Sequence, residues 1–122
     1  MNRNIITIEN GIVSVPVSTE IWMTQHQLAE LFQCFVSKIN ANVRAILKTG
    51  VLDESNVCRT YHYKNGNSIE EYNLEIITAL AFRIKSRNAG LFRHYLMKKA
   101  VADTHGVLPI LTGKDWNGFQ LN

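Results

Sequence analysis

Between positions 37 and 48 the chain places Ser37, Lys38, Asn40, Asn42, Arg44 and Lys48, a set of donors and cations suited to a polyanion. Arginine and lysine match guanine acceptors or phosphate oxygens, and the asparagine amide matches adenine. At 100° per residue, Ser37, Lys38, Ala41, Arg44 and Lys48 fall on one side of a helix, with Asn40 and Asn42 at its edges. Ile39, Val43, Ile46 and Leu47 gather on the other. Ala41 and Ala45 are small enough to let that polar side approach base edges closely. No acidic residue occurs between Glu30 and Asp53. This pattern predicts a helix with one buried face and one face turned to nucleic acid. A solvated amphipathic helix would share the periodicity but has no need of the charge bias.

Elements on either side must hold such a helix. "TQHQLAELF" opens on Thr24 with Gln27 three residues later, a capping-box spacing, and Leu28, Leu31 and Phe32 form its apolar face. A break is predicted at Gln33-Cys34-Phe35, with Ser37 as cap of the second helix and Gly50 as its end. Two helices so joined can cross a DNA backbone and lay the second in the major groove. Alternating residues flank Asn65-Gly66 in "VCRTYHYKNGNSIEEYNL", which predicts a hairpin in the position of a wing. Arg59, Lys64 and Asn65 are its candidate backbone contacts. Asn10-Gly11 predicts an earlier hairpin over residues 5–17, with Pro16 at a strand end.

Asn73 is expected to cap a helix through "LEIITALAFRI", with Leu74, Ile77, Ala81 and Ile84 inward. Ser86 is expected to cap another, with Ala89, Phe92, Leu96 and Ala100 inward and Gly106 as terminator. Arg83, Lys85, Arg87, Arg93, Lys98 and Lys99, with no acid between Glu75 and Asp103, form a second basic stripe that suits phosphate neutralisation or a solvated face. The expected fold class is α+β: a winged helix-turn-helix-like domain with an N-terminal β-hairpin, a wing hairpin and two C-terminal helices. Residues 1–106 form that single domain and 107–122 an irregular tail, which Trp116 and Phe119 would dock.

Catalysis finds little support. Glu70 and Glu71 are strand neighbours that point to opposite faces, so they make a poor metal pair. His26, His62, His94 and His105 have no ligand spacing, and Cys34 and Cys58 lack a CxxC partner. Neither enzyme activity, metal nor cofactor is expected. The chain of 122 residues carries 46% hydrophobic and 19% charged residues and a net charge of +3, a globular composition with a mild preference for acidic partners. Its apolar runs fall far short of the roughly 20 residues that span a bilayer. "MNRNIITIENG" has no sustained apolar leader, so a cytoplasmic protein without a membrane partner is expected.

The segments "IWMTQHQLAELF", "VSKINANVRAIL", "GVLDESNVCRTY" and "EEYNLEIITALAFRIKSRNAGLFRHYLMK" together resemble the N-terminal domain of the RhuM family, the virulence protein RhuM-like group of bacteria. The order of W-x-T-Q-x-Q-(L/I)-A-E-L-F, G-x-L-x-E-x-x-V-C, Y-N-L-(D/E)-x-I-I and R-(V/I)-x-S-x-x-A-x-x-F-R carries the likeness over residues 20 to 100. Gln33 stands where that family's turn usually has glycine or another small residue. The resemblance implies a DNA-binding-like domain of a regulator, or of an accessory protein of mobile elements or restriction systems. Double-stranded DNA is therefore the expected partner, and a homodimer joined at a hairpin edge would suit a two-fold site. The alternative is a protein-interaction module, an accessory subunit or antagonist that binds no DNA. Phe35 and Val36, apolar just before the polar helix, are the residues that would mark it.

Overall fold

The computed structural model describes residues 5–17 and 20–103. Asn10 and Gly11 both take positive φ, 53° and 77°. That backbone fits the right-handed twist of a two-residue hairpin, so β1 (Thr7–Glu9) pairs antiparallel with β2 (Ile12–Ser14). Pro16 lies just past β2, where no ladder hydrogen bond is lost. Ile6 drops from this hairpin into the core.

β3 (Trp22–Thr24) leads directly into α1 (Gln25–Phe32). The capping box forms: Thr24 Oγ1 accepts from Gln27 N, and Gln27 Oε1 accepts from Thr24 N. Gln33 ends the helix at φ 56°, and Cys34 N closes back on Ala29 O at 3.0 Å, the left-handed exit that glycine usually fills. The second helix, α2, runs over Val36–Lys48. Its N-cap is Phe35 with no side-chain hydrogen bond, so Ser37 sits inside the first turn and is not the cap. Gly50, at φ 78°, ends the helix as expected.

Asp53 caps a single turn, α3 (Glu54–Val57), and the wing follows as β4 (Cys58–His62) and β5 (Ser68–Asn73). Sequence pattern had shown only a two-stranded wing. The structure adds β3, and the sheet order is β3-β5-β4 with every pair antiparallel. α4 (Leu74–Ala81) is capped by Asn73 Oδ1, which accepts from Glu75 N and Ile76 N. The inward stripe differs from the expected one. Leu74 is exposed, whereas Ile76, Ile77, Leu80 and Ala81 are buried and Ile84 follows them into the core past the helix end. Position 74 opens the helix beside its cap, where an apolar side chain faces outward. In α5 (Arg87–Asp103), Ser86 Oγ accepts from Ala89 N. Ala89 and Phe92 are buried and Leu96 packs against the core, but Ala100 is exposed because the helix has by then run past it. The expected stop at Gly106 and the tail with Trp116 and Phe119 lie outside the described residues, as does the 106/107 domain boundary.

Helices α1, α2, α4 and α5 pack around one core with the sheet against α1 and β2 against α5. The architecture is α+β and winged helix-turn-helix-like. Among the described residues no helix is long and apolar enough to cross a membrane.

Candidate nucleic-acid interface

Burial of Ile39, Val43 and Ile46 in the core that α2 shares with α1 and α4 fixes the rotation of α2 about its axis. The opposite side is thereby turned outward. Ser37, Lys38, Ala41, Arg44 and Lys48 are all exposed, and Ala45 is partly so. The structure thus brings together five of the residues singled out by periodicity. At the helix start Phe35 is 81% exposed, beside a half-buried Val36.

The two asparagines behave differently from the rest. Asn42 donates Nδ2 to Lys38 O at 2.9 Å and accepts Arg83 Nε on Oδ1 at 3.1 Å. One amide hydrogen and one oxygen lone pair of Asn42 are thus engaged within the fold, whereas the edge position had suggested a free adenine reader. Asn40 is half-buried and accepts Gln25 Nε2 on Oδ1 at 3.1 Å.

Strand alternation sorts the wing residues. Tyr72, buried beneath α1, defines the inner face of β5, and Cys58, Thr60, His62, Ser68 and Glu70 share that side by register. Glu71 pairs with Arg59 on the outer face, confirming that Glu70 and Glu71 point apart. Arg59 Nε donates to Glu71 Oε1 at 2.8 Å, and its guanidinium lies 4.4 Å from the Trp22 ring centroid. Arg59 therefore sits across the sheet from α2, its charge compensated, and is not grouped with the α2 cations. At the tip Lys64 and Asn65 are exposed. Asn65 Oδ1 accepts from Asn67 N at 3.0 Å, so part of that amide serves the turn.

The second basic stripe is also divided. Arg83 binds Asn42, and Arg93 Nη1 donates to Ala81 O at 2.7 Å and Ile84 O at 3.2 Å, tying α5 to the end of α4. Lys85, Arg87, Lys98 and Lys99 are exposed. Arg93→Met is expected to cost about 2 kcal/mol, because two carbonyls lose a charged donor. A thermal melt should show a fall of about 10 °C, while the salt dependence of any DNA binding stays as in wild type.

Among the described residues no group of three or more histidine, cysteine or acidic side chains is placed to hold a metal ion. Both described cysteines are free thiols and partly buried. Burial, followed by the charges of Glu54 and Glu70, pushes the Cys58 thiol up to about 11, so it stays protonated and unreactive at neutral pH. The feature that sequence reading missed is a relay on the inner face of the wing. Gln25 Nε2 also donates to Tyr72 Oη at 2.9 Å, and Tyr72 Oη donates to Glu70 Oε1 at 3.1 Å. Gln25 lies 15 and 47 residues from its two partners in the chain, so no local motif signals the relay, although Glu70 and Tyr72 are only 2 residues apart. Compared with protein-family models, curated proteins and solved structures, the chain matches none.

Proposed function

We propose that this chain binds double-stranded DNA as a winged helix-turn-helix protein, without catalysis, with α2 in the major groove. The observation that carries the reading is the outward row of Ser37, Ala41, Arg44 and Lys48, joined by Lys38, whose cations form no ion pair among the described residues. Cations at that spacing can meet phosphates on either side of a groove while the small Ala41 allows close approach. Lys64 at the wing tip adds a backbone contact. The likeness of residues 20 to 100 to the RhuM family agrees with this role, and with a cytoplasmic regulator or an accessory protein of a mobile element or restriction system.

The test is an electrophoretic shift at about 0.1 M salt with Lys38→Ala combined with Arg44→Ala. Affinity should fall about tenfold or more, and the salt slope by roughly two units. The melting temperature should move by no more than about 3 °C, since exposed substitutions change stability by about 0.5 kcal/mol. Unchanged binding would remove α2 from the interface.

The exposed Phe35 supports a second reading, an interaction module that docks on another protein. Recovery of a stoichiometric protein partner, together with no retention on DNA at low salt, would favour it.

A further inference from the structure

Three hydrogen bonds connect the wing to the edge of α2, and their direction is set at one end. The Glu70 carboxylate can only accept, so the single hydroxyl proton of Tyr72 goes to it. The Tyr72 oxygen must then accept, which turns the Gln25 amide so that Nε2 faces the phenol. The second hydrogen on Nε2 goes to Asn40 Oδ1. Each donor therefore determines the next, from a charged group on β5 to an amide at the rim of α2. We propose that Gln25 is a specificity-determining positioning residue: held by Tyr72 and Glu70, it keeps the Asn40 oxygen turned inward and the Asn40 amino group turned toward the groove.

This inference rests on the DNA-binding reading and deepens it. An amino edge recognises an acceptor. Guanine offers two adjacent acceptors in the major groove, N7 and O6, whereas adenine sets its own amino group beside N7. With its oxygen turned inward to Gln25, Asn40 presents its amino group and not the oxygen that the bidentate adenine pair needs, and it favours guanine at the base pair it meets. Burial and the neighbouring Glu70 together outweigh the Gln25 bond and push the Tyr72 hydroxyl up to about 12. The phenol thus remains a donor across the physiological range. The Tyr72 ring is itself buried, so the relay has a rigid post at its centre.

The experiment is selection from a randomised duplex library with the intact chain, followed by affinity measurements on the selected site and its single-base variants. Wild type should prefer guanine at one base pair. Gln25→Met keeps the side chain's length and removes the donor. It should cut the guanine-over-adenine discrimination at that pair by roughly fivefold to tenfold, with the salt slope and the other positions unchanged. In an Asn40→Ala background Gln25→Met should have no further effect on base preference. If Gln25→Met does not fold, Tyr72→Phe retains the buried ring, releases the Gln25 amide, and should give the same relaxation. A wild-type motif that survives both substitutions unaltered overturns the relay while leaving DNA binding intact. So does an effect of Gln25→Met that persists without Asn40. Absence of any retained duplex overturns both, a result unlike either of the others.

Discussion

Raising the salt from about 50 to about 200 mM should weaken duplex binding on the order of a hundredfold. Each phosphate neutralised by a lysine or arginine releases condensed counterions, and the logarithmic slope is about −0.9 per contact. Lys38, Arg44 and Lys48 on α2 and Lys64 on the wing are exposed and, among the described residues, have no acidic partner within salt-bridge distance. Together they predict a slope near −3.6. Arg59 is left out of this sum because Glu71 already compensates it, and Arg93 because its charge is directed at backbone carbonyls of α4 and the residues after it. Fluorescence anisotropy across a salt series measures the slope directly. A value shallower than about −1 would mean that these cations are not at the phosphates, and would shift weight to a protein partner at Phe35.

Phe32→Ala should lower stability by about 3–5 kcal/mol, the cost of removing a buried phenyl ring together with the cavity it leaves. Phe32 is fully buried, and its ring centroid lies 6.1 Å from that of Phe92 at an interplanar angle of 57°. Through this ring pair it joins α1 to α5. Asn88 Nδ2 reinforces the same junction by donating to Leu31 O at 2.8 Å. Small domains are stable by only about 5–15 kcal/mol, so this one ring accounts for a large share. Circular dichroism should record a fall in melting temperature of about 20 °C. Phe35→Ala, three residues further on and 81% exposed, should leave the melt almost unchanged. Equal effects of the two substitutions would contradict the packing described for the turn.

Local signals accounted for most of the elements. The Thr24–Gln27 box, the Asn10-Gly11 and Asn65-Gly66 turns, and the caps at Asn73 and Ser86 each depend on side chains within three residues of the backbone they satisfy. They were legible for that reason. The outward side of α2 was legible too, since Ile39, Val43 and Ile46 define the opposite face by period alone. β3 was not, because three residues give no alternation to count and its strand character comes from pairing with β5, roughly fifty positions later. The cap of α2 was misplaced because Ser37 has the right chemistry, while the left-handed turn at Gln33 brings the chain into helical register at Val36. Arg59, Asn42 and Arg93 show the same limit at the candidate site. Their residue type suggested nucleic acid, and contacts made across the fold engage them internally.

The start of α2 carries one more consequence. A helix whose first residue is preceded by phenylalanine lacks the oxygen that ordinarily closes the opening turn, a deficit of about 1 kcal/mol. At Val36–Lys48 it is also near the length at which isolated helices are marginal in water. Excised as a synthetic peptide, this segment would lose its helical shape and with it the alignment of Ser37, Ala41, Arg44 and Lys48. The groove-facing row is a property of the assembled domain, and no fragment of the chain shorter than its core inherits it.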